Sequence, residues 1–464
     1  MTPLLPILRA LPKDRLRALE KFLHSPYHVT HAGVLQLFEY LKENLSATDL
    51  DTQKVAEALL PDPSTEPRRV YHLSNYLLDA VEKFLAQERW ETQEHIRNAD
   101  TVEALRRLHL PEPAAGMLRY ARKRLHLDER RGLDFLQADY RLQTEAYHLF
   151  LQQGRAKSFN AQELSDAQDV AFICEKLRTG CVLLSHQSVS KQTYDKGLLD
   201  NVLQFLSGHR YLEIPAVAAY FHGYYAQLGG PESSVHFSKL KALLQEHAAL
   251  FSLAETHDLF LMAINFCIRK INQQEQRYFR EIFDIYQTGL EHGALLEDGT
   301  LSRWTYNNIT STGLRLREFE WIGRFLRDYA PLLAEEHRDG AVHFNLARYH
   351  YEKNDLREAM QHLLHIEYDD VLQNLTAKTI LSKIYYRLDE WDALENQLDS
   401  IQIYIRRKKV LGYHRDNYLA FVKYLRKLLA VNLSSPVDRE RFRAEILAGP
   451  VLTERDWLLD ALRN

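Results

Sequence analysis

Histidine is the residue type that most invites a chemical reading in this chain, with 21 copies in 464 residues. Metal sites need imidazoles that converge on one point. His24, His28 and His31 are closely spaced, but Pro26 falls inside the run and keeps the three off one helical face. His362 and His365 lack a second ligand pair. Glu145 and His148 form the only E-x-x-H, whereas carboxylate-bridged di-metal bundles need two.

Nucleophiles fare no better. G-x-S-x-G is absent, and so is a nucleophile elbow. Ser188 with Lys191, and Ser238 with Lys241, match S-x-x-K without its companion signatures. Cys174, Cys181 and Cys267 lie on apolar helical patterns and read as core thiols of a reducing compartment, not as a disulfide framework. Neither a P-loop nor G-x-G-x-x-G occurs. Gly229-Gly230-Pro231 joins two helical patterns and reads as a turn. The expectation is a protein with no catalytic residue, no cofactor and no metal.

Two basic clusters could meet an anion. Arg119, Arg122, Lys123 and Arg124, with Arg130 and Arg131, interleave Tyr120 and Leu125. Arg406, Arg407, Lys408 and Lys409 suit a helix C-terminus, where the macrodipole favours cations. The formal net charge of −4 argues against a dedicated nucleic-acid binder. RNA or polyanion binding along Arg119–Arg131 is the alternative function.

The elements that must position these groups are helical. Hydrophobic residues make 45% of the chain and charged residues 26%, enough for a core. Gly and Pro, 18 and 14 copies, punctuate rather than pervade. Leu16, Leu19, Phe22 and Leu23 share a face of a helix that Pro12 opens and Ser25-Pro26-Tyr27 ends. Val34, Leu37, Phe38 and Leu41 repeat the rhythm. After the break at Pro61 and Pro63, Pro67 opens a long helix with Val70, Leu73, Tyr76, Leu77 and Val81. Further helical patterns run over 115–127, 132–153, 161–184, 195–207, 215–228, 233–248, 254–271 and 275–291. Connectors carry Gly154, Gly208 and Gly293. Residues 185–193, polar and rich in Ser and Gln, read as the longest irregular piece. Two-residue alternation is nowhere sustained enough to propose a sheet.

The densest apolar run, Leu259 to Ile268, is broken by Asn265 and flanked by Asp258 and Arg269. It is too short to cross a bilayer and reads as a buried helix. The first residues lack a basic stretch, and Pro3, Pro6 and Pro12 interrupt what would be an apolar one, unlike a secretory leader. A soluble, cytoplasmic protein with no membrane association is expected.

Residues 346–359 recur at a shift of 34. Leu346, Ala347, Tyr351, Asp355, Glu358 and Ala359 align with Ile380, Leu381, Tyr385, Asp389, Asp392 and Ala393. Glu320-Trp321 matches Glu390-Trp391 at a spacing of 70, near twice that period. This pattern resembles the tetratricopeptide repeat superfamily, whose unit is a helix hairpin with a small residue at the crossing. Ala359 and Ala393 fit that position, since a larger side chain would push the helices apart. The usual early tryptophan is replaced by His343 and Ala377, and no proline closes either repeat. The likeness covers about 304–407. The N-terminal helix pair around Ser25-Pro26-Tyr27 resembles a family of uncharacterised bacterial helical-repeat proteins, which implies no activity.

The resemblance implies an all-α, right-handed α-α superhelix of antiparallel hairpins. Its organisation would be an N-terminal helical region (1–110), central degenerate repeats (111–295) and C-terminal repeats with capping helices (296–464). Arg455, Asp456, Asp460 and Arg463 would give the last helix its polar outer face. The implied function is a protein-interaction scaffold for an unidentified protein partner. Carried-over groove positions are Asn308, Arg315, Phe344, Arg348, Tyr351, Glu352, Lys378, Ser382, Tyr385 and Tyr386. Cations, amides and tyrosines in that lining suit an acidic or C-terminal peptide segment.

Overall fold

The computed structural model describes residues 3–47, 50, 52–59, 67–153, 159–190, 192–364, 370–407, 414–449 and 452–462. The chain is all-helical, 81% helix with almost no strand. It divides into two compact units, Met1–Ile173 and Cys174–Asn464.

The first unit contains α1 (Leu4–Ala10), α2 (Lys13–Leu23), α3 (Ala32–Glu43), α4 (Thr52–Leu59), α5 (Pro67–Thr92), α6 (Glu94–Arg107), α7 (Pro111–Leu127) and α8 (Leu133–Gln153). Helix α9 (Ala161–Ser190) holds the division point. Most apolar positions read from spacing are buried: Leu19, Leu23, Val34, Leu37, Phe38, Leu41, Val70, Leu73, Leu77 and Val81 form one core with Leu16 and Phe22 partly buried against it, whereas Tyr76, expected on the same face, is exposed. Val102, Leu118, Leu125 and Leu142 belong to a second, across α6, α7 and α8. Proline occupies the N-cap of α2 and the first turn of α7, where its missing N–H costs nothing.

The second unit continues with α10 (Leu199–Leu206), α11 (Pro215–Leu228), α12 (Ser233–His247), α13 (Leu253–Asn272), α14 (Tyr278–Glu291), α15 (Arg303–Arg315), α16 (Phe319–Asp328), α17 (Glu335–Glu352), α18 (Leu356–Leu364), α19 (Val371–Arg387), α20 (Trp391–Arg407), α21 (His414–Ala430), α22 (Pro436–Ala448) and α23 (Arg455–Ala461). A two-residue hairpin, β1 (Leu296–Glu297) with β2 (Thr300–Leu301), separates α14 from α15. Its Asp298-Gly299 turn has positive φ at both residues, as the strand twist demands.

One correction concerns 185–193. Residues 185–190 are the last turns of α9, not a loop. Ser188 Oγ donates to the Ser185 carbonyl and Ser190 Oγ to that of His186, so these polar side chains bond back along the helix without ending it.

Helices pair in hairpins: α11 with α12, α13 with α14, α15 with α16, α17 with α18, α19 with α20. First helices also touch the next first helix, α11 to α13, α15 to α17 and α17 to α19. Four hairpins turn identically. The residues Gln274, Arg317, Asn354 and Asp389 adopt positive φ. The acid after each donates its N–H five residues back: Glu275 to Lys270, Glu318 to Gly313, Asp355 to His350 and Glu390 to Tyr385, at 2.8–3.1 Å. This is the Schellman closure, which satisfies carbonyls left over at a helix end.

That shared turn corrects the repeat register. Asn354 and Asp389 are equivalent and 35 residues apart, not 34. The residue matching Ala359 is therefore Leu394, which is fully buried, whereas Ala393 is half-buried. Trp321 and Trp391 are not equivalent either: Trp321 stacks on Phe325, while the exposed Trp391 meets the edge of Tyr386. At Gly313 the small residue sits on the first helix instead. A Cβ there would strike Ile322 of α16 and Phe283 of α14.

Candidate functional site

The first helices α15, α17 and α19 are joined by polar contacts rather than by apolar packing alone. Asn345, fully buried on α17, donates its Nδ2 to Asn307 Oδ1 on α15 at 2.5 Å and to the Ala341 carbonyl at 2.8 Å. One turn on, Arg348 Nη1 donates to Ser311 Oγ at 2.7 Å, and its guanidinium lies 5.5 Å from the Phe344 ring centroid. Burial pushes Arg348 down from its ordinary pKa, while Glu352 and Glu454 oppose that shift.

Tyr351, at the end of α17, lies close to two cations of α19. Lys383 Nζ is 4.7 Å and the Arg387 guanidinium 5.7 Å from its ring centroid, within cation–π range. Arg387 also donates to Asn354 Oδ1 at 2.5 Å. The Lys383 side chain is only 8% exposed, so its ammonium needs an anionic partner. That partner comes from the turn before α23: Glu454 Oε2 sits 2.9 Å from Lys383 Nζ. Glu454 itself is held in the left-handed region, at φ +62° and ψ +32°. Three residues on, Trp457 lies edge-on to Tyr386 at 5.4 Å.

The structure thus brings Arg348, Tyr351 and Tyr386 into one constellation with Lys383, Arg387 and Glu454. Tyr385 is half-buried and packs between two core clusters. Lys378 turns toward α20, donating to Ser400 Oγ at 3.0 Å beside Tyr404. Asn308 is exposed, and its neighbour Asn307 makes the contact to α17. Arg315 pairs with Gln276 Oε1 at 3.0 Å and stacks over Phe279. Sequence reasoning missed Lys383 and Glu454. A lysine between Ser382 and Ile384, on a helix otherwise apolar at that point, is the one local signal. Its partner is 71 residues away.

The other candidates are spoken for by their neighbours. Arg124 pairs with both oxygens of Glu94, and Arg130 with Asp128. Arg131 donates to three backbone carbonyls and lies over Phe135, and Arg122 reaches Gln143. Arg119 and Lys123 remain exposed on α7. The Asp128 carboxyl is held well below the usual range, chiefly by the Arg130 guanidinium. His31 caps α3, His28 stacks on Phe22, and His24 lies near Glu39. Glu145 is occupied by Arg106. Among the described residues no cluster of three His, Cys, Asp or Glu could hold a metal ion. His365, Lys191, Lys408 and Lys409 lie outside the described residues. Burial raises all three thiols. Gly229 and Gly230 both have positive φ and form the expected turn between α11 and α12. No helix among the described residues is long and apolar enough to cross a membrane.

No protein-family model, curated protein or solved structure matches the chain.

Proposed function

We propose that the chain is a protein-interaction scaffold whose α11–α20 hairpins stack in the right-handed manner of tetratricopeptide repeats, and that the first helices line a concave groove for an acidic segment of a partner protein. The four identical αL turns and the contacts between successive first helices support the stacking. The observation that carries the binding reading is the pair of cations on Tyr351, one of which already holds a carboxylate. Such a surface offers charge-assisted hydrogen bonds to an acid and rigid aromatic area to its neighbours.

Panning a random 12-residue peptide display library against the full chain tests this. Acidic peptides with an aromatic residue should be enriched. Arg387→Glu, an exposed position, should weaken them by at least about tenfold, as should rising salt. No enrichment, or enriched peptides indifferent to Arg387→Glu, would overturn the reading.

A further inference from the structure

The turn before α23 places a carboxylate on Lys383, one of the two cations beside Tyr351, and it does so from the left-handed region of the backbone. Glu454 sits at φ +62° as the N-cap of α23, yet its side chain makes no cap hydrogen bond. It spends its carboxylate on Lys383 instead, at 2.9 Å. Observed backbone strain of this kind is retained where surrounding contacts outweigh it. Here those contacts are the ion pair, the Trp457–Tyr386 ring contact and the burial of Leu458 in the cluster that also holds Leu375 and Tyr418. The acid, the aromatic three residues on and the leucine after it therefore read out what the site accepts: a short helix with a carboxylate at its N-cap and Trp-Leu at the end of its first turn.

We propose that residues 452–462 are an intramolecular occupant of this site, and that the partner's segment is a helical peptide of the same acid-x-x-aromatic-Leu chemistry that displaces them. The inference rests on the peptide-groove reading and adds to it both the ligand pattern and an autoinhibited ground state. Binding in trans is then weakened by the small fraction of molecules whose site is open.

A fluorescently labelled peptide copying residues 452–462 is the probe, and anisotropy against the full chain the measurement. Glu454→Lys sets a like charge against Lys383 and opens the site, so the peptide should bind at least about tenfold more tightly than to wild type. The charge-swapped Lys383→Glu/Glu454→Lys chain restores an internal pair and sets a carboxylate against the peptide's own acid, so binding should fall to the wild-type level or below. Trp457→Ala should also open the site, and it carries the test if Glu454→Lys fails to give a cooperative helical melt. Equal binding to wild type and both opened variants would sink the autoinhibition and leave the groove standing. No binding to any of them would sink both.

Discussion

His222 and His236 bring their Nδ1 atoms to 2.9 Å across α11 and α12, with Lys239 nearby and Tyr225 stacked on His236. Only one ring of such a pair need carry the shared proton, and a second proton would place two cations in contact. Burial and His236 pull the His222 pKa down to about 4, and His236 is lowered as well, again mainly by burial. An unfolded histidine titrates near ~6.5. Between those values the unfolded chain binds more protons than the folded one, so stability is complete above about pH 7 and is lost as pH falls toward 4. His222→Gln keeps a hydrogen bond to His236 without the titration. Urea midpoints at pH 7.5 and 4.5 should show wild type losing about 2–3 kcal/mol more than the variant. Parallel losses would show that His222 is protonated without penalty. The same physics explains why this pair was not legible in the sequence. Among 21 histidines only the hairpin geometry selects which ones meet, here and again at His343 and His362, whose Nδ1 atoms are 2.8 Å apart.

Gly313 shows the element-scale rule that lets consecutive hairpins close. An alanine in a helix interior is ordinarily favoured over glycine by about 1 kcal/mol. At 313 the added methyl would meet the buried Ile322 and Phe283, and overpacking costs about 1–3 kcal/mol. Gly313→Ala should therefore destabilise. Adding Ile322→Val, which removes the methyl nearest the new one, should recover part of the loss, giving a non-additive cycle of about 0.5–1 kcal/mol by thermal or chemical unfolding. Simple additivity would mean the helices separate without strain.

Helices were readable from spacing because a buried stripe imposes period 3.6 on sequence. The crossings were not, since the small residue changes helices from one hairpin to the next, Gly313 on α15 and then Ala359 on α18. The repeat register differs from the residue pattern by one position for a related reason. Aligning Asp355 with Asp389 maximises chemical likeness, while backbone geometry pairs Asn354 with Asp389 through the αL turn. Likewise Ser185–Ser190 looked irregular because it is polar, although nothing in those residues breaks a helix.

At the scale of the second unit, contacts run between sequence neighbours, and the C-terminal cluster is built from α19 to α23 around Phe421, Leu425, Leu398 and Phe442. In the proposed hairpin array stability would be a sum of hairpin terms and interfaces, so a lesion would propagate only as far as the interface coupling carries it. Phe421 is fully buried within the cluster. Phe421→Ala removes a ring that the cluster cannot refill and should cost about 3–5 kcal/mol locally. Amide hydrogen exchange should then lose protection across α19–α23. Helices α13–α16, whose burial depends on Phe260, Phe283, Tyr306 and Phe325, should stay near wild type. The graded pattern would mark the hairpins as separately opening elements. Such opening also bears on the occupant of the cationic site, because Leu458 draws its burial from the same cluster as Phe421. Loosening that cluster should release α23 before any other described helix of the unit. An even loss of protection from α13 to α23 would instead mean one cooperative core, in which α23 could not leave Lys383 without unfolding its neighbours.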